Sequence, residues 1–263
     1  MIKKIEATES MPPSPPISTV TLAIKTVLNP RSHRREVAVI SAIRHGRVML
    51  ESATDESTRN MSQMTLVRPV DFGKVDGVAA RFPRDMDEEC QRRFSGIFRC
   101  HDERALLSSL LAQIGAWDPD VVVSHNAWGR DIDILLDRCA DLNVSAWSMI
   151  GRRRDLRIPG PAAFNDSDEG VVGGALEGRL LCDTKVLSKD LLKNQTSYEL
   201  TELTRTQLRT DRLEIDEADV PLWCGSGGHF VDLAKHTLND AQLVQRLMFK
   251  LQLLPLTKVQ KGE

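Results

Sequence analysis

The chain of 263 residues lacks several features that mark membrane, secreted or nucleic-acid-coating proteins. No apolar run approaches the roughly 18 residues that a membrane span needs, and the N-terminal residues have no apolar core of the signal-peptide kind. Aromatic residues are only 5% of the chain, which argues against a dedicated single-strand binder built on base stacking. The formal net charge of -2 gives no general basic field, so any contact with nucleic acid needs a local basic patch.

Paired cysteines are also absent. The five cysteines are scattered, and no two of them form a C-x-x-C pair. This spacing argues against a zinc site and favours reduced thiols in an intracellular protein. The five are Cys90, Cys100, Cys139, Cys182 and Cys224.

What is present predicts one large domain, since a hydrophobic fraction of 41% allows a sizeable core. Residues 1–17 contain a proline cluster and are predicted to form a flexible lead-in. The β-rich stretches 18–27 and 36–50 alternate with a period of two and predict a hairpin or meander. Two polar or glycine-rich and proline-rich stretches, 51–64 and 151–178, are predicted to be loops.

The middle of the chain has the periodicity of an α/β fold. Asp102 precedes a helical pattern that ends before Asp118, and Val121–Val123 form an apolar run of the kind buried on both faces of a sheet. Further helix and strand signals follow, so a mixed sheet flanked by helices is predicted. They are a helix from Ile132, a strand from Leu180 to Asp183, a helix capped by Thr196 and Glu199 through Leu208, and a helix from Phe230 to Leu251.

The last of these helices contains an unusual carboxylate. Leu233, Thr237, Val244, Leu247 and Leu251 form an apolar stripe, and Asp240 falls within it or at its rim. Burying a carboxylate without a partner is costly. Asp240 is therefore expected to be paired, to bind a metal or to open onto a cleft, although a surface charge at the edge of the stripe is the simpler alternative.

An Asn126–Asp131 pair after a buried strand, followed by Asp240 on a late helix, resembles the motif order of 3′→5′ exonucleases with a ribonuclease-H-like (DnaQ-like) fold. The chain is most similar to the exonuclease domain of family-B DNA polymerases and, within that family, to the polymerase alpha branch. The similarity covers nearly all of the chain after the prolines. The segments that carry it include TLAIKTVLNPRSHRREVAVISAI, DPDVVVSHNAWGRDIDILLDR, GRLLCDTKVLSKDLL and HTLNDAQLVQRLMFKLQLLPL.

The resemblance implies a site that has lost metal ligands. Active members use four carboxylates, two of them from a D-x-E on the first strand, to hold two divalent ions. Here the D-x-E positions are occupied by Ala23-Ile24-Lys25. A methyl group and an ammonium cannot replace two carboxylates, and the ammonium repels Mg²⁺. The metal pair is therefore predicted to be absent, and no catalytic residue or metal ligand is assigned.

Two further departures support this interpretation. Active relatives carry Tyr where this chain has His236, and usually Phe where it has Arg130. The residues assigned to the resulting vestigial exonuclease pocket are Ala23, Lys25, Asn126, Asp131, His236 and Asp240.

Alternatives stay open for individual residues. We hypothesise that the Lys25 ammonium stands in for the metal by pairing with Asp131 or Asp240; otherwise Lys25 points to solvent. The pattern around Asp131 is also compatible with a solvated residue in a first helical turn. His125 and Asn126 are expected to fix the loop by hydrogen bonds, and a His236–Asp240 pair is typical of a local hydrogen bond on a helix.

Basic clusters at 31–35 and 151–157 are the local patches that nucleic-acid binding would require. Arg152, Arg153 and Arg154 are candidate phosphate contacts. Their acidic neighbours make a solvated surface an equally good interpretation.

The motifs that supply polymerase carboxylates in family B, D-x-x-S-L-Y-P-S and Y-G-D-T-D-S, do not occur here. The resemblance therefore implies a degenerate exonuclease-like domain over residues 18–254, with 255–263 as a linker toward an absent palm domain. The parent would be a nuclear DNA-directed DNA polymerase that uses Mg²⁺ and extends RNA primers; the fragment would use no cofactor.

The expected partners are the remaining domains of the same polymerase chain, the primase complex through the parent, weakly a primed template, and no membrane. Two alternatives remain. One is an active metal-dependent exonuclease with His236 as base and Glu36 recruited as a ligand, and the other is a protein-interaction module only.

Overall fold

The computed structural model describes residues 15–49, 60–70, 80–154 and 174–260. Within these ranges, six strands form one mixed sheet in the order β4-β3-β2-β1-β5-β6, which confirms the predicted α/β class. The strands are β1 (Ile17–Leu28), β2 (Arg35–Val48), β3 (Met61–Val67), β4 (Ile97–Arg99), β5 (Val121–Ser124) and β6 (Leu180–Asp183). The helices are α1 (Met86–Arg93), α2 (Glu103–Trp117), α3 (Ile132–Asp141), α4 (Thr184–Leu191), α5 (Leu200–Leu203), α6 (Val220–Trp223), α7 (Gly227–Lys250) and α8 (Leu253–Gln260).

Strand β1 lies at the centre of the sheet. It pairs antiparallel with β2, which confirms the predicted hairpin, and β2 pairs antiparallel with β3. On its other side β1 pairs parallel with β5, and β5 pairs parallel with β6. Because β5 has a neighbour on each side and helices on both faces, Val121, Val122 and Val123 are buried, as their apolar run predicts.

The two faces of β1 serve different layers. Val20, Leu22 and Ile24 belong to the core that contains α2 and α3. Val27 packs in a core on the opposite face with residues of α7, and Ala23 does so with Leu238 and Ala241 of that helix. Since side chains alternate along a strand, every second residue of β1 from position 21 is directed toward α7.

The helix ends follow the predicted signals in the middle of the chain. The Asp102 side chain accepts a hydrogen bond from the Ala105 N–H and caps α2, which ends at Trp117 before a left-handed Asp118. The apolar residues Ile132, Leu135, Leu136 and Cys139 are all buried on α3, as their spacing predicts.

A buried ion pair joins α2 and α3 to the sheet. Both carboxylate oxygens of Glu103 accept hydrogen bonds from the Arg138 guanidinium, at 3.0 Å and 2.6 Å. Glu103 Oε1 also accepts a hydrogen bond from the Val37 N–H of β2 at 2.7 Å. Arg138 Nη1 also donates to Asp141 Oδ2 at 2.7 Å, so the guanidinium joins two carboxylates. We call Glu103 and Arg138 the core pair.

Three predictions about secondary structure were wrong in part. Residues 61–64, predicted as loop, begin β3, where pairing with β2 outweighs their polar composition. The cap of α5 is Glu199, not Thr196, and its side chain makes no capping hydrogen bond. Residues 255–260, predicted as linker, belong to helix α8, whose Thr257 is buried.

Other predicted segments lie outside the described residues. These are the lead-in over residues 1–14 and the loops over residues 51–59 and 155–173. The domain boundaries stay a prediction. Among the helices described here, none combines the length and the apolar character that crossing a membrane requires.

Candidate functional site

A narrow cleft opens beside the carboxyl end of β5, on the face of the sheet that carries α7. Its walls come from β1, the turn after β5, α7 and an irregular segment, residues 209–216. The cavity volume is about 100 Å³, below the roughly 300–1,000 Å³ of typical ligand pockets. The polar residues that line the cleft are Lys25, His125, Asn126, Arg130, Asp131, Glu199, Arg212, Glu214 and Asp240.

Strand β1 delivers Ala23 and Lys25 to this cleft. The two side chains are two positions apart on one strand and therefore share a face. Both are 8% exposed. The positions that the resemblance assigns to the first-strand carboxylates thus hold a methyl group and a buried ammonium.

The Lys25 ammonium pairs with the carboxylate of the last long helix. Its Nζ lies 3.2 Å from Asp240 Oδ2, which confirms the hypothesised pairing with Asp240. Asp240 is only 6% exposed, and so the expectation of a paired carboxylate in the apolar stripe is confirmed as well. The alternatives of a solvent-facing lysine and a surface aspartate are excluded.

Arg212 is a second cation on Asp240. Its Nε donates to Oδ1 at 2.7 Å and its Nη2 donates to Oδ2 at 2.9 Å. Its Nη1 donates to Thr201 Oγ1 at 2.6 Å. Burial acts to lower the pKa of the guanidinium, but the hydrogen bonds and charge of Asp240 outweigh burial, and the pKa is raised above its ordinary value.

Sequence reasoning missed Arg212. It lies in the polar stretch TDRLEID, which has no periodicity and no motif, 28 residues before its partner. Only the oddity of Asp240 hinted at an extra cation, and it did not say which one. We call Lys25, Arg212 and Asp240 the cleft cluster.

Asp131 meets a different environment. It precedes α3, is 8% exposed, and accepts a hydrogen bond from the Ser124 hydroxyl at 2.5 Å. Burial raises the pKa of its carboxyl to about 7, against the lowering effects of Ser124, Arg130 and Lys25. The alternative of a solvated first-turn aspartate is therefore wrong, and a large fraction of this carboxyl is protonated near neutral pH.

The turn after β5 is fixed by Asp183, at the end of β6. Its carboxylate accepts hydrogen bonds from the N–H groups of Asn126 and Trp128, each at 3.1 Å, while also capping α4. Asn126 is left-handed, with φ of 65°. The predicted loop-fixing role of Asn126 is confirmed, although its backbone N–H, and not its side chain, makes the hydrogen bond to Asp183.

His125 fixes the same turn through its side chain. Its Nδ1 lies 2.9 Å from Thr184 Oγ1, as the loop-fixing prediction requires. Burial lowers the pKa of the imidazole to about 4, so the ring is neutral at physiological pH. Its Nε2 is buried and has no hydrogen-bond partner among the residues that the structure describes.

His236 is absent from the lining of the cleft among the described residues, which corrects its assignment to the pocket. Its ring packs edge-on against Trp223 of α6, with 5.6 Å between the ring centroids. Side chains of a helix lean toward its N-terminus, so a residue one turn before Asp240 reaches a different part of the surface.

Glu36, the ligand recruited in the alternative of an active nuclease, is also placed elsewhere. It pairs with Arg68 at 2.8 Å and accepts a hydrogen bond from Asn29 at 2.6 Å. It stands near the start of β2, opposite Val27 of β1. Neither Glu36 nor His236 is therefore brought to Asp131 and Asp240.

The three candidate phosphate-binding arginines lie toward the opposite end of the sheet and contact the protein itself. Arg152 donates to the carboxylates of Asp118 and Asp120, which precede β5. Arg153 pairs with Glu177, and Arg154 donates to the backbone carbonyls of Ser148 and Gly151. These contacts favour the interpretation of a solvated, self-paired surface.

The residues of the cleft do not fit a pair of divalent ions. Both oxygens of Asp240 are hydrogen-bonded to Arg212, one of them also pairs with Lys25, and Asp131 is stabilised in its protonated form. Ala23 offers no ligand atom. Hard cations need several anionic or carbonyl oxygens. Across the ranges given above, no group of three or more His, Cys, Asp or Glu residues is arranged to hold a metal.

The fold itself is of the ribonuclease-H-like 3′→5′ exonuclease type. Its antiparallel β1, β2 and β3 are continued by parallel strands, and carboxylates stand after β5 and on a late helix. The chain belongs to the exonuclease domain family of family-B DNA polymerases, whose family model matches residues 2–203. Ala23, Lys25 and Asp131 lie inside that match.

Individual relatives extend the similarity over nearly the whole chain. The DNA polymerase alpha catalytic subunit of Oryza sativa subsp. japonica is 34% identical over 259 residues, 93% of this chain. The corresponding subunits of Arabidopsis thaliana and Xenopus laevis are 33% and 29% identical, each over 92% of the chain. The chain spans about 16% of the length of these curated relatives.

Proposed function

We propose that this chain is an exonuclease-like domain without nuclease activity, from a catalytic subunit of the DNA polymerase alpha type. The parent would be a nuclear DNA-directed DNA polymerase that uses Mg²⁺, works with primase and extends RNA primers. The domain would act as a structural module. It would pack against the remaining domains of the same chain and flank the path of the primed template.

The observation that carries this proposal is the Lys25–Asp240 ion pair. The strand position that the family uses for a metal ligand holds an ammonium 3.2 Å from the carboxylate of the last long helix. A cation there neutralises a remaining ligand and repels an incoming dication. Ala23, on the same face, removes a second ligand.

The size of the cleft supports the same conclusion. About 100 Å³ is room for a few water molecules and not for a nucleotide. Two-metal hydrolysis needs space for the 3′-terminal residue, two ions and an attacking water. Opening such a space would require breaking the Arg212–Asp240 hydrogen bonds.

A nuclease assay tests the proposal. The purified protein is incubated with 5′-labelled single-stranded DNA and with a primed template, in Mg²⁺ and in Mn²⁺. We expect no shortening above the background of a mock purification. The matched variant is Asp131→Ala, because it removes a carboxylate that an active site of this fold would need. Degradation by the wild type that this variant abolishes would refute the proposal.

A binding assay addresses the alternative of a protein-interaction module. Fluorescence anisotropy with a labelled primed template, at 20 mM and at 150 mM salt, measures sequence-independent phosphate contact. We expect weak binding at low salt that weakens further at high salt, because any contact depends on local basic residues. No measurable binding at either concentration would favour the interaction module and remove the template-flanking role.

A further inference from the structure

Arg212 reaches the cleft from an irregular part of the chain, as Glu214 and Ile215 also do. It belongs to the irregular segment 209–216, and it reaches Asp240 on α7 with a bidentate hydrogen-bonded pair. Its third contact, to the Thr201 hydroxyl, ties it to α5. One side chain therefore joins a segment without regular structure to two helices.

Among the described residues, few other contacts attach this segment, and one of them is a backbone hydrogen bond from the Thr210 N–H to the Thr204 carbonyl at 3.2 Å. Thr201 Oγ1 also lies 3.2 Å from Glu214 Oε2, and the Ile215 side chain is buried in the core beside Val220. Leu213, between these anchors, is 56% exposed. Between Thr210 and the buried Ile215, the Arg212 contacts join the segment to α5 and α7, beside the Thr201–Glu214 hydrogen bond.

We propose that the Arg212 guanidinium fastens segment 209–216 across the opening of the cleft and keeps both oxygens of Asp240 from binding metal ions. This inference rests on the proposed loss of the metal site and adds a second reason why the cleft excludes metal ions. Lys25 replaces one ligand, whereas Arg212 occupies both oxygens of a ligand that survives. Arg212 is a positioning residue and acts through Asp240.

The geometry gives a specific consequence for restoring the site. A divalent ion binds carboxylate oxygen at about 2.0–2.1 Å for Mg²⁺, on oxygens that Arg212 contacts at 2.7 Å and 2.9 Å. An ion seated there would lie close to a fixed guanidinium charge. If only the first-strand carboxylates are restored, Arg212 still occupies both oxygens of Asp240, and Asp240 cannot bind the ion. Metal binding therefore also requires the removal of Arg212.

Mn²⁺ binding by two variants tests this inference. The double variant Ala23→Asp/Lys25→Glu restores the first-strand carboxylates, and the triple variant adds Arg212→Ala. Binding is measured by electron paramagnetic resonance of free Mn²⁺ and by the increase of melting temperature with Mn²⁺. We expect the triple variant to bind at least ten times more tightly than the double variant. Equal affinities of the two would overturn the inference.

This outcome is separable from the proposed function. If the wild-type protein itself binds Mn²⁺ in the cleft and degrades DNA, the proposed function fails. If the wild type is inert but the double variant binds as tightly as the triple variant, only the role of Arg212 fails. A nuclease readout is not needed for either conclusion.

Hydrogen exchange provides a measurement that needs no restored site. In Arg212→Ala, amide exchange over residues 209–214 should become at least tenfold faster, while exchange in β5 stays unchanged. Arg205→Ala is the matched control, since Arg205 is an exposed arginine nearby that pairs with Glu202 on its own helical turn. Unchanged exchange in Arg212→Ala would overturn the fastening role even if the triple variant does not fold.

Discussion

The core pair and the cleft cluster are two buried carboxylate–arginine contacts that differ in the number of cations that the carboxylate meets. Glu103 meets one backbone donor and one guanidinium, which also pairs with Asp141. Asp240 meets a guanidinium and an ammonium, so the cleft cluster carries an excess positive charge. A carboxylate that meets one cation is typical of a structural ion pair, whereas two cations on Asp240 support the proposal that Lys25 stands at the position of a lost metal ligand.

Asp131 completes the comparison as a buried carboxylate that is stabilised by protonation. Its recorded hydrogen bond comes from a neutral hydroxyl, and burial raises its pKa to about 7. The negative charge of these three buried carboxylates is therefore stabilised or removed in three ways: Glu103 pairs with one cation, Asp240 pairs with two cations, and Asp131 holds a proton. In the two that line the cleft, the charge that a metal would have neutralised is neutralised by other means.

Breaking the core pair should give the largest effect. Arg138→Ala leaves Glu103 charged and buried, and losing one partner of a buried pair costs about 3–5 kcal/mol. We expect urea denaturation to show a loss of this size in the free energy of unfolding. Arg104→Ala, at an exposed position on the same helix as Glu103, is the control and should change stability by less than about 0.5 kcal/mol. Similar losses for both would contradict the assignment of the core pair.

Neutralising Asp131 should stabilise the protein at high pH. The folded state holds this proton up to about pH 7, whereas an ordinary aspartate loses it near 3.8. Stability therefore falls as pH rises from about 4 to 7 and is flat above that range. Asp131→Asn removes this penalty, so the variant should exceed the wild type by up to about 4 kcal/mol at pH 8, with the gain vanishing toward pH 4.

His125 changes the pH dependence of stability in the opposite direction to Asp131. Its pKa is lowered to about 4, so stability falls as pH drops from 6.5 toward 4. In the wild type the two slopes oppose each other over that range. Urea denaturation at several pH values should show the slope of His125 alone in Asp131→Asn. The control Asp219→Asn, at an exposed position, should keep the wild-type profile.

Within the cleft cluster, removing one cation should cost less free energy of unfolding while the other cation still pairs with Asp240. Arg212→Ala removes charged hydrogen bonds and should cost about 1–3 kcal/mol, because Lys25 still pairs with Asp240. Removing Lys25 as well, by Lys25→Met, leaves the buried carboxylate uncompensated. The double variant should be less stable than the sum of the single losses by about 0.5–3 kcal/mol. Strict additivity in thermal denaturation would show that the two cations do not share Asp240.

The smallest effect is expected at the arginine cluster before β5. The Arg152 side chain is 37% exposed and its partner Asp118 is 60% exposed, so solvent screens the pair. Arg152→Ala should cost less than about 1 kcal/mol, and the difference should shrink in 1 M salt. A loss as large as that of Arg138→Ala would place this cluster with the core pair.

Most of the sheet was predictable because its signals are local. Period-two alternation identified the β1–β2 hairpin, the continuous apolar run identified β5, and the Asp102 cap identified the start of α2. The sequence pattern did not predict β3 or β4, and the polar start of β3 was assigned to a loop, because its residues are stabilised by pairing with β2 and not by their own pattern. The assignment of His236 to the pocket failed because spacing along a helix does not give the direction of a side chain.

For the site, the resemblance to the family predicted that Ala23 and Lys25 stand where active members have first-strand carboxylates, and the sequence by itself placed a carboxylate in an apolar stripe. It did not establish which way Lys25 points, that Asp131 is buried enough to hold a proton, or that Arg212 reaches Asp240. Those facts depend on contacts between residues up to 215 positions apart along the chain, such as Lys25 and Asp240. The packing of the whole sheet and its helices brings two distant charged side chains together. A local sequence pattern contains no information about the distance between them.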